Sequence, residues 1–261
     1  MERIPLESAK DKHYRERKSA EYLLISQPNC GRTWLRMMIG KAMQLAYDIQ
    51  EIKLTKLYYF SELNNHIPAI KVIHERYEQF GSYENKKIIL LVRDPRDAII
   101  SRYFSERHQQ NGLSLSDFIW QTNLVDDYIC FYNTWLNNIH IPKAFLLVFY
   151  EGLKRKPLQE LKRVCNFIGI KINEKIIKEA VEYASFENMR KMELEGKIGS
   201  GQKKDLNNPE TLKVRKGKVG GYRDYLNTED VQALDRKICE HLDPFYLNMG
   251  VWESCNTTMS S

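Results

Sequence analysis

Apolar positions along the chain gather into short runs, each ending in a charged or glycine-containing turn. Tyr22 to Ile25 is one such run, and it leads through Pro28-Asn29-Cys30-Gly31-Arg32-Thr33-Trp34 into a segment of different period. There Leu35, Met38, Ile39, Ala42 and Ala46 recur at helical spacing, with Arg36, Lys41 and Gln44 between them, which predicts a helix from Trp34 onward. Ile88 to Val92 is continuous and apolar, the form of a strand buried in a parallel sheet. After it, Pro95 suits the first position of a helix and Asp97 its first turn. Lys71-Val72-Ile73 is a shorter apolar segment, and Ala144 to Phe149 is the longest wholly apolar stretch. Strands alternating with helical segments predict a single α/β domain with a parallel sheet flanked by helices.

Two of the junctions carry chemistry. The first amides of a helix have no partner within it and the helix dipole is positive there, so the turn from Tyr22–Ile25 into the Trp34 helix suits a phosphate or sulfate. Gly31 lets the backbone approach closely and the Thr33 hydroxyl can donate beside it. An ordinary strand-to-helix loop fits the same residues, and this segment alone does not separate the two. At the second junction Arg93 stands where the Ile88–Val92 strand ends, the edge at which open α/β sheets bind ligands. Ser101 follows on the next helix, so the two side chains can hold one anionic group. The alternative makes Arg93 a structural partner of Asp94 or Asp97.

Composition narrows the class. With 261 residues, 43% of them hydrophobic, the chain can bury a full core in one domain. The stretch Ala144 to Phe149 is far short of the roughly 20 apolar residues that span a bilayer. Met1 to Ala20 reads as a charged N-terminal extension without an apolar signal core. The cysteines Cys30, Cys130, Cys165, Cys239 and Cys255 are scattered, with neither a disulfide framework nor metal-ligand spacing. A cytoplasmic protein without membrane or metal is expected. Charge concentrates late in the chain: residues 196–221 hold seven Lys or Arg against Asp205 and Glu210, and six of the 13 glycines. That composition predicts a long basic loop, either a solvated linker, a nonspecific nucleic-acid contact, or a lid.

Taken together these residues resemble the cytosolic-type sulfotransferase family. Pro28 to Trp34 is similar to its phosphosulfate-binding loop, Pro-Lys-Ser-Gly-Thr-Thr-Trp. Arg93-Asp94-Pro95-Arg96-Asp97 with Ser101 is similar to its Arg-Asn-Pro-Lys-Asp stretch and following serine, which grip the 3′-phosphate of the donor. Val148-Phe149-Tyr150-Glu151 resembles the strand end whose tyrosine contacts adenine. Val214-Arg215-Lys216-Gly217 resembles the late Arg-Lys-Gly that closes on the 3′-phosphate, and Ser185 to Met189 resembles the segment before that lid. The likeness runs from about Ile25 to Tyr222, with five motifs in order. It implies a P-loop-like three-layer α/β/α fold with a central, mostly parallel sheet. It also implies transfer of a sulfuryl group from 3′-phosphoadenosine-5′-phosphosulfate (PAPS) to a hydroxyl or amine of a small-molecule acceptor, without metal or specific nucleic acid. On this resemblance Asn29, Cys30, Gly31, Arg32, Thr33, Trp34, Arg93, Ser101, Tyr150, Arg215, Lys216 and Gly217 bind the donor. His74, between the two phosphate motifs, takes the place of the catalytic histidine, and a pKa near neutrality suits a base. The aromatic-rich spans Leu57 to Phe60, Arg76 to Phe80 and Trp120 to Trp135 correspond to acceptor-lining regions.

The departures are specific. Asn29 replaces the loop lysine, so an amide stands where a charge-assisted bond, about twice as strong, is usual. Arg32, in the place of a threonine, has the reach to supply that charge. Cys30 replaces the loop serine, Ala184 a threonine that faces adenine, and Gly221-Tyr222 an Asp-Trp pair. The late dimer motif is degraded around Arg223 to Gln232. A P-loop kinase is the alternative enzyme, but Gln27 to Trp34 lacks the Gly-Lys-Ser/Thr ending. A nucleotide-binding protein without transferase activity is the non-enzymatic alternative.

Overall fold

A computed structural model describes residues 8–50, 52–77, 81–105, 112–198, 210 and 212–249. In chain order these form α1 (Ala9–Ser19), β1 (Tyr22–Ser26), α2 (Arg32–Ala46), α3 (Leu57–Leu63), β2 (Ile70–Ile73), β3 (Lys87–Val92), α4 (Pro95–Ser105), α5 (Leu115–Gln121) and α6 (Leu124–Asn137). They continue with β4 (Ala144–Phe149), α7 (Tyr150–Arg155), α8 (Pro157–Ile168), α9 (Glu174–Tyr183), α10 (Phe186–Leu194), a 3-10 turn (Gly221–Asp224), α11 (Thr228–His241) and α12 (Pro244–Asn248).

The four strands form one parallel sheet in the order β2-β1-β3-β4. Residues 22–25 and 88–92 are fully or almost fully buried, which is why both runs are continuously apolar rather than alternating. Right-handed crossovers put α2 on one face of such a sheet and the β3-to-β4 helices on the other. α8 and α9 pack with α2, whereas α6 packs with α4. Successive strands are added in one direction from β1 to β2 and in the other from β3 to β4, so the switch lies between β1 and β3. At such a switch point the loops at the strand ends diverge and leave a crevice.

The register aligns the carboxyl ends of the strands: Ile25 lies beside Ile73, Ser26 beside Leu91, and Val92 beside Phe149. Each strand therefore delivers its following residues to one edge. These are His74 after β2, the Pro28–Gly31 loop after β1, Arg93 after β3 and Tyr150 after β4.

The charged N-terminal stretch forms α1 from Ala9 and bonds to the rest of the fold. The α1 side chains Glu16 and Arg17 are buried. Arg17 Nε and Nη2 donate to the two carboxylate oxygens of Glu75 at 2.7 and 2.5 Å, and Nη2 also reaches the Gly81 carbonyl at 3.0 Å. Tyr83 donates to the same carboxylate, and Lys71 on β2 pairs with Glu16. A buried ion pair is retained only where hydrogen bonds satisfy it. Here the arrangement fixes the backbone directly after His74. Cys30, Cys130 and Cys165 are free thiols. None of the described helices is long and apolar enough to cross a membrane.

Candidate active site

A cavity of about 710 Å³ opens at the carboxyl edge of the sheet. Its wall contains His74, Asn29, Gly31, Arg32, Thr33, Trp34, Arg93, Ser101, Tyr150, Arg215, Lys216 and Gly217. Twelve residues singled out from the sequence thus converge on one space. Cys30 is the exception. Its thiol is fully buried 3.4 Å from the Tyr132 hydroxyl, and desolvation pushes it up to about 12. Its side chain is a core residue, so the helix N-terminus does not activate it.

The loop after β1 is held in an uncommon shape. Asn29 has φ 61° and Gly31 φ 85°, a left-handed conformation that favours glycine. At Gly31 a second constraint applies, since an added Cβ would lie 2.4 Å from the Tyr150 ring. The tyrosine packs directly on the backbone whose amides open α2. Tyr150 also presents its face to the Arg93 guanidinium at 4.4 Å and meets Trp34 edge-on at 5.8 Å.

Arg93 is the hub of the β3 end. Its backbone N–H donates to the Tyr132 hydroxyl at 3.1 Å and its carbonyl accepts from that hydroxyl at 2.8 Å. Its Nη1 donates to the Asn29 carbonyl at 3.0 Å, and Asp97 lies 4.0 Å from Nη2. Nε is buried without a partner among the described residues. An unsatisfied buried donor is costly, and one on a cation at a cavity wall fits an anionic ligand. Asp94 N donates to Glu151 Oε1 at 2.9 Å, and the Asp94 carboxylate takes Arg96 Nε and Nη2. Asp97 receives the amides of Gly220 and Tyr222 at 2.8 and 2.9 Å, so it ties the end of the basic loop to the first turn of α4.

Of that loop, residues 199–209 and 211 lie outside the described residues. Residues 213–218 and Gly221 line the cavity. Arg215 pairs with Glu210 at 2.8 Å and lies over the Phe104 and Tyr225 rings, and Lys216 lies over Tyr225 at 4.3 Å. Gly217, at φ 58°, sits against Phe186.

At the β2 end, His74 Nδ1 donates to the Ser26 carbonyl at 2.7 Å. Nε2 is then the basic nitrogen, and the Arg32 guanidinium donates to it while Nη1 reaches the Ile73 carbonyl at 2.6 Å. The imidazole is pushed down to about 4, first by desolvation in the cavity wall and then by the charge of Arg32, with the Ser26 bond opposing. His74 is neutral at pH 7.

Sequence reasoning passed over several lining residues. Ser105 and Lys154 follow Ser101 and Tyr150 by four positions on their helices, the interval that shares a helix face. Ser105 donates to Asn29 Oδ1 at 3.3 Å, and the Lys154 ammonium lies 5.5 Å over Trp34. Arg36, Lys213, Lys218 and Tyr225 belong to the same set, and Phe186 and Met189, of the segment expected before the lid, line the cavity too. Two aromatic residues of the span expected to line the acceptor brace the loop after β1 and the end of β3. The Tyr128 hydroxyl donates to the Pro28 carbonyl at 2.5 Å, and Tyr132 holds Arg93. Among the described residues no cluster of His, Cys, Asp or Glu could hold a metal ion.

The sulfotransferase domain family matches residues 20–245. Sulfotransferase 2A1 of Rattus norvegicus is 24% identical over 257 residues, covering 90% of this chain and 89% of that protein. Flavonol 3-sulfotransferase of Flaveria bidentis is 27% identical over 175 residues, or 60% of this chain and 55% of that one. Among solved structures, mouse sulfotransferase SULT7A1 complexed with PAP superposes with a TM-score of 0.65 at 22% identity, over 90% of this chain and 88% of the other. A retinol dehydratase complexed with androsterone and PAP gives 0.61 at 18%, over 85% and 80%.

Proposed function

Because the chain belongs to the sulfotransferase domain family, we propose that it moves the sulfuryl group of PAPS to a hydroxyl or amine of a small acceptor in the cytoplasm, with His74 as general base. The observation that carries the reading is the unpartnered Arg93 Nε in a wall shared with Ser101, Arg215 and Lys216. These residues would hold the 3′-phosphate. The amides opening α2, with Thr33, would hold the 5′ end, and Trp34, Tyr150 and Phe186 offer faces for the adenine. The two solved relatives described above are complexes with PAP, and those of retinol dehydratase also hold androsterone or retinol, both small alcohols.

The bound donor supplies a sulfuryl group whose bond to the 5′-phosphate oxygen breaks as a bond to the acceptor oxygen forms. His74 takes the acceptor's proton at Nε2, the nitrogen left basic by the Ser26 bond. Arg32 donates to Nε2 in the present arrangement, so its guanidinium moves aside before that proton arrives. The helix N-terminus and Arg32 stabilise the charge that grows on the leaving oxygen, a role for which Asn29 has no charge of its own.

A thermal-shift panel tests the reading. Adenosine 3′,5′-bisphosphate at a hundred times its Kd should add about 2.7 kcal/mol to stability, and ADP with magnesium far less, since it has no 3′-phosphate. Equal shifts would favour the kinase alternative.

A further inference from the structure

The cavity wall carries eight cationic side chains, Arg32, Arg36, Arg93, Lys154, Lys213, Arg215, Lys216 and Lys218, against the single carboxylate of Asp97. Lys154 lies over the Trp34 ring, and the other seven divide into two groups. Arg93 has Asp97, Arg215 has Glu210, and Lys216 and Lys218 have Asp224. Arg32, Arg36 and Lys213 have no carboxylate partner among the described residues. Arg32 donates to His74 and Lys213 lies within its electrostatic reach, while Arg36 stands one turn from Arg32 on α2.

Their placement is built. Arg32 and Arg36 are four apart on α2 and so share a face, one turn apart. Arg36 Nε donates to the Thr55 carbonyl at 2.7 Å, and Nη2 donates to it too. This fixes the guanidinium beside the segment that enters α3, beyond the amides at the start of α2. Lys213 is presented from the opposite wall by a pinned backbone: its own amide and that of Val214 each donate to the Glu193 carboxylate at 2.7 Å, and Arg190 holds the Val214 and Arg215 carbonyls at 3.3 and 2.9 Å. The ammonium lies within the electrostatic reach of Arg32, Arg36 and His74, and its pKa is lowered by desolvation and by the two guanidinium groups. Three like charges held together out of bulk water repel one another and lose hydration, and an anion placed among them offsets both costs.

Two sources could bring that anion, the phosphosulfate end of the donor or the acceptor. The position of Arg36 decides between them. It stands a turn past the loop that would receive the 5′ end, next to α3, while Arg32 and Lys213 are the members near the nitrogen that would face the acceptor's reacting atom. We propose that Arg36 and Lys213, beside the Arg32 that serves the donor, form an acceptor-recognition site for an anionic group, so that the substrates are hydroxyl- or amine-bearing compounds with a carboxylate, phosphate or sulfate a few bonds from the acceptor atom. The inference rests on the proposed transfer for the place of the acceptor, but its test can be read without turnover.

Two phenols of the same shape, 4-hydroxyphenylacetate and 4-hydroxyphenylacetamide, differ in charge alone. Titrated calorimetrically into the bisphosphate-saturated protein, the acetate should bind about tenfold more tightly, and the preference should weaken as salt rises from about 0.05 to 0.5 M. K213Q should bring the ratio of the two dissociation constants close to one, and K213R should restore it. Equal affinities in the wild type would overturn the proposal. So would a K213Q protein that keeps its preference, or one whose loss falls on PAPS instead, which would assign these cations to the donor. A chain that binds the acetate selectively but never sulfates it would retain the anion site and lose the transferase reading.

Discussion

The two ends of the cavity are wired differently. At the β3–β4 end, Arg93, Asp94, Arg96 and Asp97 are all buried, and each is bonded into a network that reaches Tyr132, Glu151, Asp235 and Tyr222. Every charge there except Arg93 Nε and Glu151 Oε2 has a partner in the protein. At the β1–β2 end, His74 and Arg32 bond mainly to each other and to main-chain carbonyls, and no carboxylate among the described residues offsets the cations. The first end is a rigid socket assembled in advance. The second is an electrostatic deficit that a ligand completes. Preorganised sites lose little entropy on binding, whereas an uncompensated charge cluster draws its stability from whatever anion arrives. A shared donor fits the first arrangement, and a selected acceptor fits the second.

The largest effect expected of this asymmetry is on turnover. H74A should lower the rate of sulfuryl transfer by about two to four orders of magnitude with little change in bisphosphate affinity, because His74 stands at the unwired end. Since its imidazole is held at about 4, protonation should switch off kcat/KM only well below the usual histidine range near 6.5. A mutant of near-normal rate, or an acid limb near 6.5 that survives in H74A, would remove His74 from the mechanism.

Legibility in the sequence follows the same division. The strands β1 and β3 are plain because parallel strands buried on both faces leave unbroken apolar runs, and their ends locate the Gly31 loop and Arg93. His74 follows a four-residue strand, and only its chain order among the motifs marks it. The role of α1 is invisible to composition: Arg17 and Glu75 are 58 residues apart, and a run of charges at a terminus looks like a solvated face. Lys213 was hidden for a similar reason, as one cation in a basic loop whose pinning by Glu193 joins residues 20 apart. For Tyr128 and Tyr132 only the resemblance suggested pocket lining; their spacing on α6 suits core, where both are buried, and it does not say which hydroxyl meets which carbonyl. Ser105 and Lys154 were within reach, since helical spacing from Ser101 and Tyr150 gives both.

A smaller effect, on binding alone, should mark the wired end. R93A should cost about 1.5–3 kcal/mol of bisphosphate affinity, the usual worth of a bond to a charged group. AMP, which lacks the 3′-phosphate, should lose much less. Calorimetry on both nucleotides separates the cases. Equal losses would mean that Arg93 acts through its bond to the Asn29 carbonyl, shaping the loop rather than meeting the phosphate.

The smallest effect concerns the acid inside the socket. Glu151 is buried, and desolvation raises its carboxyl to about 7 from an ordinary 4.5, with the Asp94 amide opposing. A folded pKa above the unfolded one means that the native state holds the extra proton between those values. The associated stability is complete below about 4.5 and is lost as pH rises through 7. Glutamine keeps an oxygen for the Asp94 amide and never ionises. E151Q should therefore match the wild type near pH 5 and exceed it at pH 8 by about 1–3 kcal/mol, or roughly 2–10 °C in Tm for a chain of this size. Thermal unfolding at the two pH values gives the comparison. An E151Q protein less stable than the wild type at pH 8 would show that Arg93 holds Glu151 as a carboxylate. The socket would then contain a paired charge where a neutral acid is expected, and the contrast between the two ends would be sharper still.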